Sequence, residues 1–109
     1  MNLTAESKSI IESSDYHDQL LKVVDFTEKL VQEEGIKLTD LQWTILINHL
    51  NEMIQREDTN SFLPQMDESL FNEVSDKAKE ISRKVSYFIG KLPESEVLVL
   101  SIHFQNGIN

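Results

Sequence analysis

The chain has 109 residues with 39% hydrophobic content, which is room for one domain with one core. Its formal net charge of −9, with only two arginines, argues against direct binding to DNA, RNA or anionic membranes, because such binding depends on clustered Lys and Arg. The absence of cysteine excludes disulfides, zinc–thiolate sites and thiol catalysis, and without a signal-peptide pattern we predict a cytoplasmic protein that does not associate with membranes.

The first part of the chain divides at about residue 16. Residues 1–15 are polar and predict an N-terminal arm or a short helix, followed by a single helical domain over residues 16–109. From Tyr16 onward, apolar residues recur at spacings of three and four, as on one face of a helix: Leu20, Val23, Val24, Leu30 and Val31. Gly35 follows this run and suits the left-handed position that ends a helix.

A capping box predicts where the next helix begins. The Thr39 hydroxyl is expected to cap the helix, with Gln42 three residues later as its reciprocal partner. The helix is predicted to run from about Asp40 to Glu57, with His49 at the edge of its apolar stripe. Residues 58–61 then indicate a loop.

The last third of the chain predicts two more helical segments. Asp67 is expected to cap one that ends at Gly90, with apolar positions spaced three and four apart: Phe71, Val74, Ala78, Ile81, Val85 and Phe88. Pro93 is expected near the start of the final helix, since proline suits the first turn. With no strand pattern, these segments predict an all-α fold, a compact antiparallel bundle of four or five helices.

His103 stands in a segment that is apolar on every side, from Val97 to Phe104. One interpretation is a core histidine that hydrogen-bonds a backbone carbonyl, and the other is chemistry at a ring nitrogen. A metal site is disfavoured, because bundle metal sites use Glu-x-x-His pairs and neither His49 nor His103 has a glutamate three residues before it. Without a nucleophile–base pair or a phosphate loop, we predict a non-enzymatic protein without a cofactor.

Several motifs together resemble the PTS regulation domain, or PRD, of bacterial antiterminators and transcriptional activators that respond to the sugar phosphotransferase system. They occur in the family's order and lie in four segments: Glu34-Gly35-Ile36-Lys37-Leu38, Asn48-His49-Leu50 followed by Arg56, Lys91-Leu92-Pro93-Glu94-Ser95-Glu96, and Ser101-Ile102-His103-Phe104. The resemblance implies a PRD-like helical bundle with two phosphorylatable histidines. His49 matches the first of them, His103 the second, and Arg56 the arginine that follows the first.

The resemblance also implies partners. The phosphoryl donor would be the phosphocarrier HPr or an EIIB component, and family members act as homodimers. Since only one PRD and no nucleic-acid-binding domain is visible, the chain resembles a stand-alone PRD that acts through protein–protein contacts. The alternative is a helical adaptor or dimerisation module that is not phosphorylated and modulates another PRD-containing transcriptional regulator. Arg56, seven residues after His49, could bind a phosphate there, whereas Glu96 would repel one near His103.

Overall fold

Five α-helices make up most of the protein, which we describe from a computed structural model covering residues 3–108. Met1, Asn2 and Asn109, the ends of the predicted arm and domain, lie outside the described residues. The helices are α1 (Ala5–Ser13), α2 (His17–Glu33), α3 (Asp40–Thr59), α4 (Asp76–Ile89) and α5 (Glu94–Gln105). Residues 3–108 contain no strand, and the all-α prediction is confirmed.

Local sequence signals set the ends of the first three helices. Residues 5–13 form a helix, capped by the Thr4 hydroxyl, which accepts from the Ser7 amide. At α3, the Thr39 hydroxyl accepts from the Gln42 amide at 3.1 Å and the Gln42 side chain accepts from the Thr39 amide at 2.8 Å, which is the predicted capping box. Gly35 after α2 has a positive φ of 70°, the conformation for which glycine was expected there.

The predicted helix from Asp67 to Gly90 was wrong in its first third. The Asp67 side chain does accept from the Ser69 amide, but it caps only a single 3₁₀ turn, Glu68–Phe71. The helix α4 begins at Asp76, because the Ser75 hydroxyl accepts from the Ala78 amide and supplies a second N-cap. Two capping side chains within one stretch compete with a continuous helix, so Phe71 and the residues from there to Ser75 lie outside α4.

The apolar face of α4 also differs from the prediction at its end. Phe88 is 46% exposed and stacks on Phe26 of α2, with ring centroids 4.2 Å apart, whereas its neighbour Ile89 is buried. The buried face of α4 therefore ends in Ile89 and not in the predicted Phe88. At this end of the helix, the side that packs against the core lies one residue further around than the predicted apolar positions.

Helix α3 is the centre of the bundle and contacts all four other helices. Its buried face is wholly apolar in the middle, where Leu46, Ile47, Leu50 and Met53 have no exposed surface. α1 lies across its first half, and Ser7 and Thr44 join their hydroxyls there at 2.8 Å. α4 and α5 form a helical hairpin on the other side. No helix within residues 3–108 is long and apolar enough to cross a bilayer.

The connection between α3 and α4 is long and mostly irregular. We call residues 60–75 the strap. It begins at Asn60, whose left-handed backbone (φ 57°) ends α3, and it contains the 3₁₀ turn Glu68–Phe71. The strap follows α5 along its length, since Leu63 lies at the first turn of α5 and Ser75 lies at its last residue, Gln105.

Candidate functional site

The site lies where α3 and α5 run antiparallel and touch at both ends. Near the start of α3, Gln42 Nε2 donates to the Asn106 carbonyl just beyond α5, at 3.2 Å. Near the end of α3, Arg56 pairs with Glu96 in the first turn of α5. These two contacts hold the middle turns of both helices against each other.

The two predicted histidines meet in that middle region. The ring centroids of His49 and His103 lie 4.6 Å apart with the ring planes tilted by 41°. Both residues are partly buried, and the His49 Nε2 atom is buried without a hydrogen-bond partner. Across residues 3–108, neither imidazole hydrogen-bonds another group. Buried polar atoms in proteins are nearly always hydrogen-bonded, so an unpaired and buried His49 Nε2 is unusual, and no bond within the described residues gives it a structural role.

Burial keeps both rings neutral, and neighbouring charges add to this effect at His49. Burial, the neighbouring His103 and the Arg56 charge lower the pKa of His49 to about 4, while the Glu96 charge opposes them. Burial also lowers the pKa of His103, opposed by Glu52. A neutral imidazole keeps a free lone pair, so both rings are in the nucleophilic form at physiological pH. Lowered pKa values with identifiable charged neighbours are typical of functional sites.

Arg56 is bound to a carboxylate that the sequence did not assign to it. Its Nε donates to Glu96 Oε2 and its Nη2 to Glu96 Oε1, each at 2.8 Å, a parallel two-bond pair. Glu96 is fully buried, and the Arg56 side chain is only 18% exposed. Glu52, one turn earlier on α3, is a weaker second neighbour at 3.8 Å. Arg56, which we expected to bind a phosphate, is therefore already bound to a carboxylate, and its charge adds to burial in lowering the pKa of the neighbouring His49.

Glu96 also holds the strap. Its Oε2 accepts a hydrogen bond from the Leu63 amide at 3.1 Å, and the neighbouring Ser95 hydroxyl donates to the Leu63 carbonyl at 3.1 Å. The carboxylate thus accepts three hydrogen bonds and carries the compensating charge of Arg56. These interactions offset the free-energy cost of burying the negative charge of Glu96.

The Arg56–Glu96–Leu63 cluster was not predicted from the sequence, in which Glu96 stood out only as a residue seven positions before His103. A signal for the pair was present. A glutamate just before an apolar run needs a cationic partner if it is buried, and the chain offers only Arg56 and Arg83 as arginines. Arg83 is taken by Glu94, at 2.8 and 3.1 Å. The strap contact had no sequence signal, because it is made by a backbone amide.

The remaining histidine lies elsewhere. His17 begins α2, is about half exposed and contacts the carboxylate of Asp18 at 3.3 Å. No group of three or more His, Asp or Glu side chains that could hold a metal ion occurs in the part of the chain that the structure describes.

Comparison with known proteins shows similarity to a protein family and to solved structures. The family description "PRD domain" matches residues 24–107, which include both histidines, Arg56 and Glu96. The crystal structure of a PRD-containing transcription regulator from Lactobacillus casei matches with a TM-score of 0.93 and 37% sequence identity, over 98% of this chain and 96% of that chain. The search of curated proteins gave no match.

Proposed function

The chain belongs to the PRD domain family, and on that premise we propose that it is a regulatory phosphoacceptor domain that responds to the sugar phosphotransferase system. It is regulatory rather than catalytic, it acts in the cytoplasm, and its output passes through protein–protein contacts. The observation that carries the proposal is the pair of neutral imidazoles, His49 and His103, 4.6 Å apart and without hydrogen bonds.

The proposed reaction is a phosphoryl transfer between imidazoles. The unprotonated nitrogen of His49 or His103 attacks the phosphorus of a phosphohistidine on the donor, the new P–N bond forms, and the donor's P–N bond breaks. The donor ring is protonated on its other nitrogen and so leaves as a neutral imidazole, while the acceptor ring keeps its own proton and takes up the positive charge together with the phosphoryl group. No net proton transfer is then required. The lowered pKa values favour this step, because a protonated imidazole has no lone pair with which to attack.

We propose HPr or an EIIB component as the donor and a homodimer as the responding assembly. A phosphoryl group adds roughly two negative charges near neutral pH. In a chain of net charge −9, this added negative charge favours any arrangement of the helices or subunits that brings a cation to the phosphoryl group or moves the phosphoryl group away from Glu52 and Glu96. Apolar side chains on the outer surfaces of α3 and α5, among them Leu41, Ile45 and Ile102, offer contact area for a second subunit.

A phosphotransfer assay tests the proposal. The protein is incubated with enzyme I, HPr, the candidate EIIB and radiolabelled phosphoenolpyruvate, and acid-labile, alkali-stable label is measured. We expect label on the wild type, less on His49→Gln or His103→Gln, and none on the double variant. His17→Gln is the matched control and keeps the full label. A wild type that takes up no acid-labile phosphate contradicts the proposal.

A second candidate is the adaptor that is never phosphorylated and pairs with another PRD-containing regulator. The observation that favours it is the engagement of Arg56 by Glu96, which leaves no unpaired guanidinium for a phosphate at His49. The two candidates separate in the same assay combined with sedimentation velocity. An adaptor forms a mixed dimer with a PRD-containing partner in the absence of any donor, and His49→Gln with His103→Gln leaves that dimer unchanged.

A further inference from the structure

The strap is attached to the bundle by few contacts. Of its residues 60–75, only Phe71 is buried, and a groove of about 650 Å³ separates residues 65–68 from the first turn of α5. The Leu63 backbone is bound at both its amide and its carbonyl, and the Ser75 amide donates to Gln105 Oε1 at 2.8 Å. Long irregular connections in small domains are commonly functional, and segments with few buried contacts open locally at low cost.

The contact at the Leu63 amide depends on a charge balance that extends to His49. The Glu96 carboxylate accepts from Leu63 and from Arg56, and both Arg56 and Glu96 act electrostatically on His49. The Arg56 side chain starts two turns after His49 on α3, and helical side chains lean toward the N-terminus, which is the direction of His49. One guanidinium therefore stands within the influence of two potential anions, a buried carboxylate and a modified histidine.

We infer that Glu96 couples the charge state of His49 to the strap. A negative charge on His49 competes with Glu96 for Arg56, and Glu96 releases the Leu63 amide when it loses Arg56. The inference rests on the proposed function for the origin of the charge, a phosphoryl group on His49. It adds to that function the residue that senses the charge and the segment that responds.

The competition follows from the chemistry of the three groups. A guanidinium can bind phosphate oxygens through two parallel bonds, as it now binds the carboxylate, and phosphate carries the larger charge. Glu96 would then be a buried carboxylate without its cation and beside a new anion. Because such a charge is costly to bury, its side chain turns toward solvent and leaves the Leu63 amide. Only the Ser95 hydroxyl would then hold the strap at the first turn of α5.

The test uses charge at position 49 without requiring any phosphoryl donor. Amide hydrogen exchange of Leu63 is measured by NMR in the wild type, His49→Glu and the matched neutral variant His49→Gln. We expect the Leu63 amide to exchange at least about tenfold faster in His49→Glu than in His49→Gln, with the α3 amides around Leu50 unchanged. Equal Leu63 exchange in the two variants overturns the inference.

Arg56→Lys keeps the test decisive if the glutamate variant does not fold. Lysine retains the charge but cannot form two parallel bonds to Glu96, so Leu63 exchange should rise in this variant without any change at His49. Unchanged exchange overturns the inference. The phosphotransfer assay separates the two proposals: a wild type that accepts no phosphate, with release in His49→Glu, contradicts only the proposed function. Phosphate on His49 with Leu63 exchange unaltered contradicts only the coupling.

Discussion

Helices α3 and α5 bring two pairs of ionisable side chains together, and the two contacts meet the cost of polar burial in opposite ways. Where Arg56 meets Glu96, both side chains stay charged, and both carboxylate oxygens of Glu96 accept hydrogen bonds, from the guanidinium and from the Leu63 amide. Where His49 meets His103, the charges are lost instead: both pKa values are lowered and no hydrogen bond is made. The paired contact, between Arg56 and Glu96, stabilises the arrangement of the two helices. The unpaired contact, between His49 and His103, leaves reactive lone pairs on the rings.

Breaking the paired contact should have the largest effect. Glu96→Ala leaves the mostly buried Arg56 with only the half-exposed Glu52, at 3.8 Å, as a carboxylate neighbour, and it leaves the Leu63 amide without an acceptor. We expect the free energy of unfolding to fall by about 3 kcal/mol in urea titrations, because removing one partner of a buried ion pair strands the other. The comparison is with Glu52→Ala, which removes the half-exposed neighbour of Arg56 at 3.8 Å and should cost less than about 0.5 kcal/mol.

A double variant distinguishes lost pairing from lost packing. Arg56→Met combined with Glu96→Leu removes both charges and keeps the volume, and it should recover at least about 1 kcal/mol relative to Glu96→Ala. If Glu96→Ala is no more destabilised than Glu52→Ala, the buried pair does not contribute as the structure indicates.

The unpaired contact should make stability depend on pH. Since the pKa of His49 is about 4 in the folded protein and about 6.5 when unfolded, the unfolded chain binds more protons between these values, and stability falls as pH falls through that range. From pH 7.0 to 5.2, above the isoelectric point of about 4.6, the wild type should lose about 1.5 kcal/mol more than His49→Gln. His103 adds a loss of the same sign in both proteins.

Urea titrations of the two proteins at matched pH measure this difference. The glutamine changes the absolute stability but cannot titrate, so only the change with pH is compared. Parallel curves for the wild type and His49→Gln would show that His49 is not held neutral by the fold.

A smaller effect sharpens the contrast within the histidine pair. His103→Gln removes one of the causes that lower the pKa of His49, so that pKa should rise above 4. It should remain below 6.5, because burial is the larger cause. NMR titration of the His49 ring protons measures it, with His17→Gln as the control that changes nothing at this site. A His49 midpoint that stays the same or falls in His103→Gln contradicts the coupling between the rings.

Much of the architecture followed from local signals in the chain. The Thr39–Gln42 capping box, Gly35 and the apolar spacing predicted α2 and α3 well, because these features depend on residues within one or two turns. The helix predicted from Asp67 was wrong over its first turns, since Ser75 supplied a second cap and the 3₁₀ turn intervened. The family resemblance, read from motifs around His49 and His103, is confirmed.

The sequence by itself determined the helical class and the family, and it predicted the two histidines as the candidate site, because helix periodicity and short motifs are properties of neighbouring residues. Tertiary structure alone decided what those residues touch. The antiparallel approach of α3 and α5 sets the two rings 4.6 Å apart, gives Arg56 to Glu96, and attaches the Leu63 amide to the same carboxylate. Contacts between distant segments, and above all those made by backbone groups that every residue shares, leave no pattern in the order of side chains.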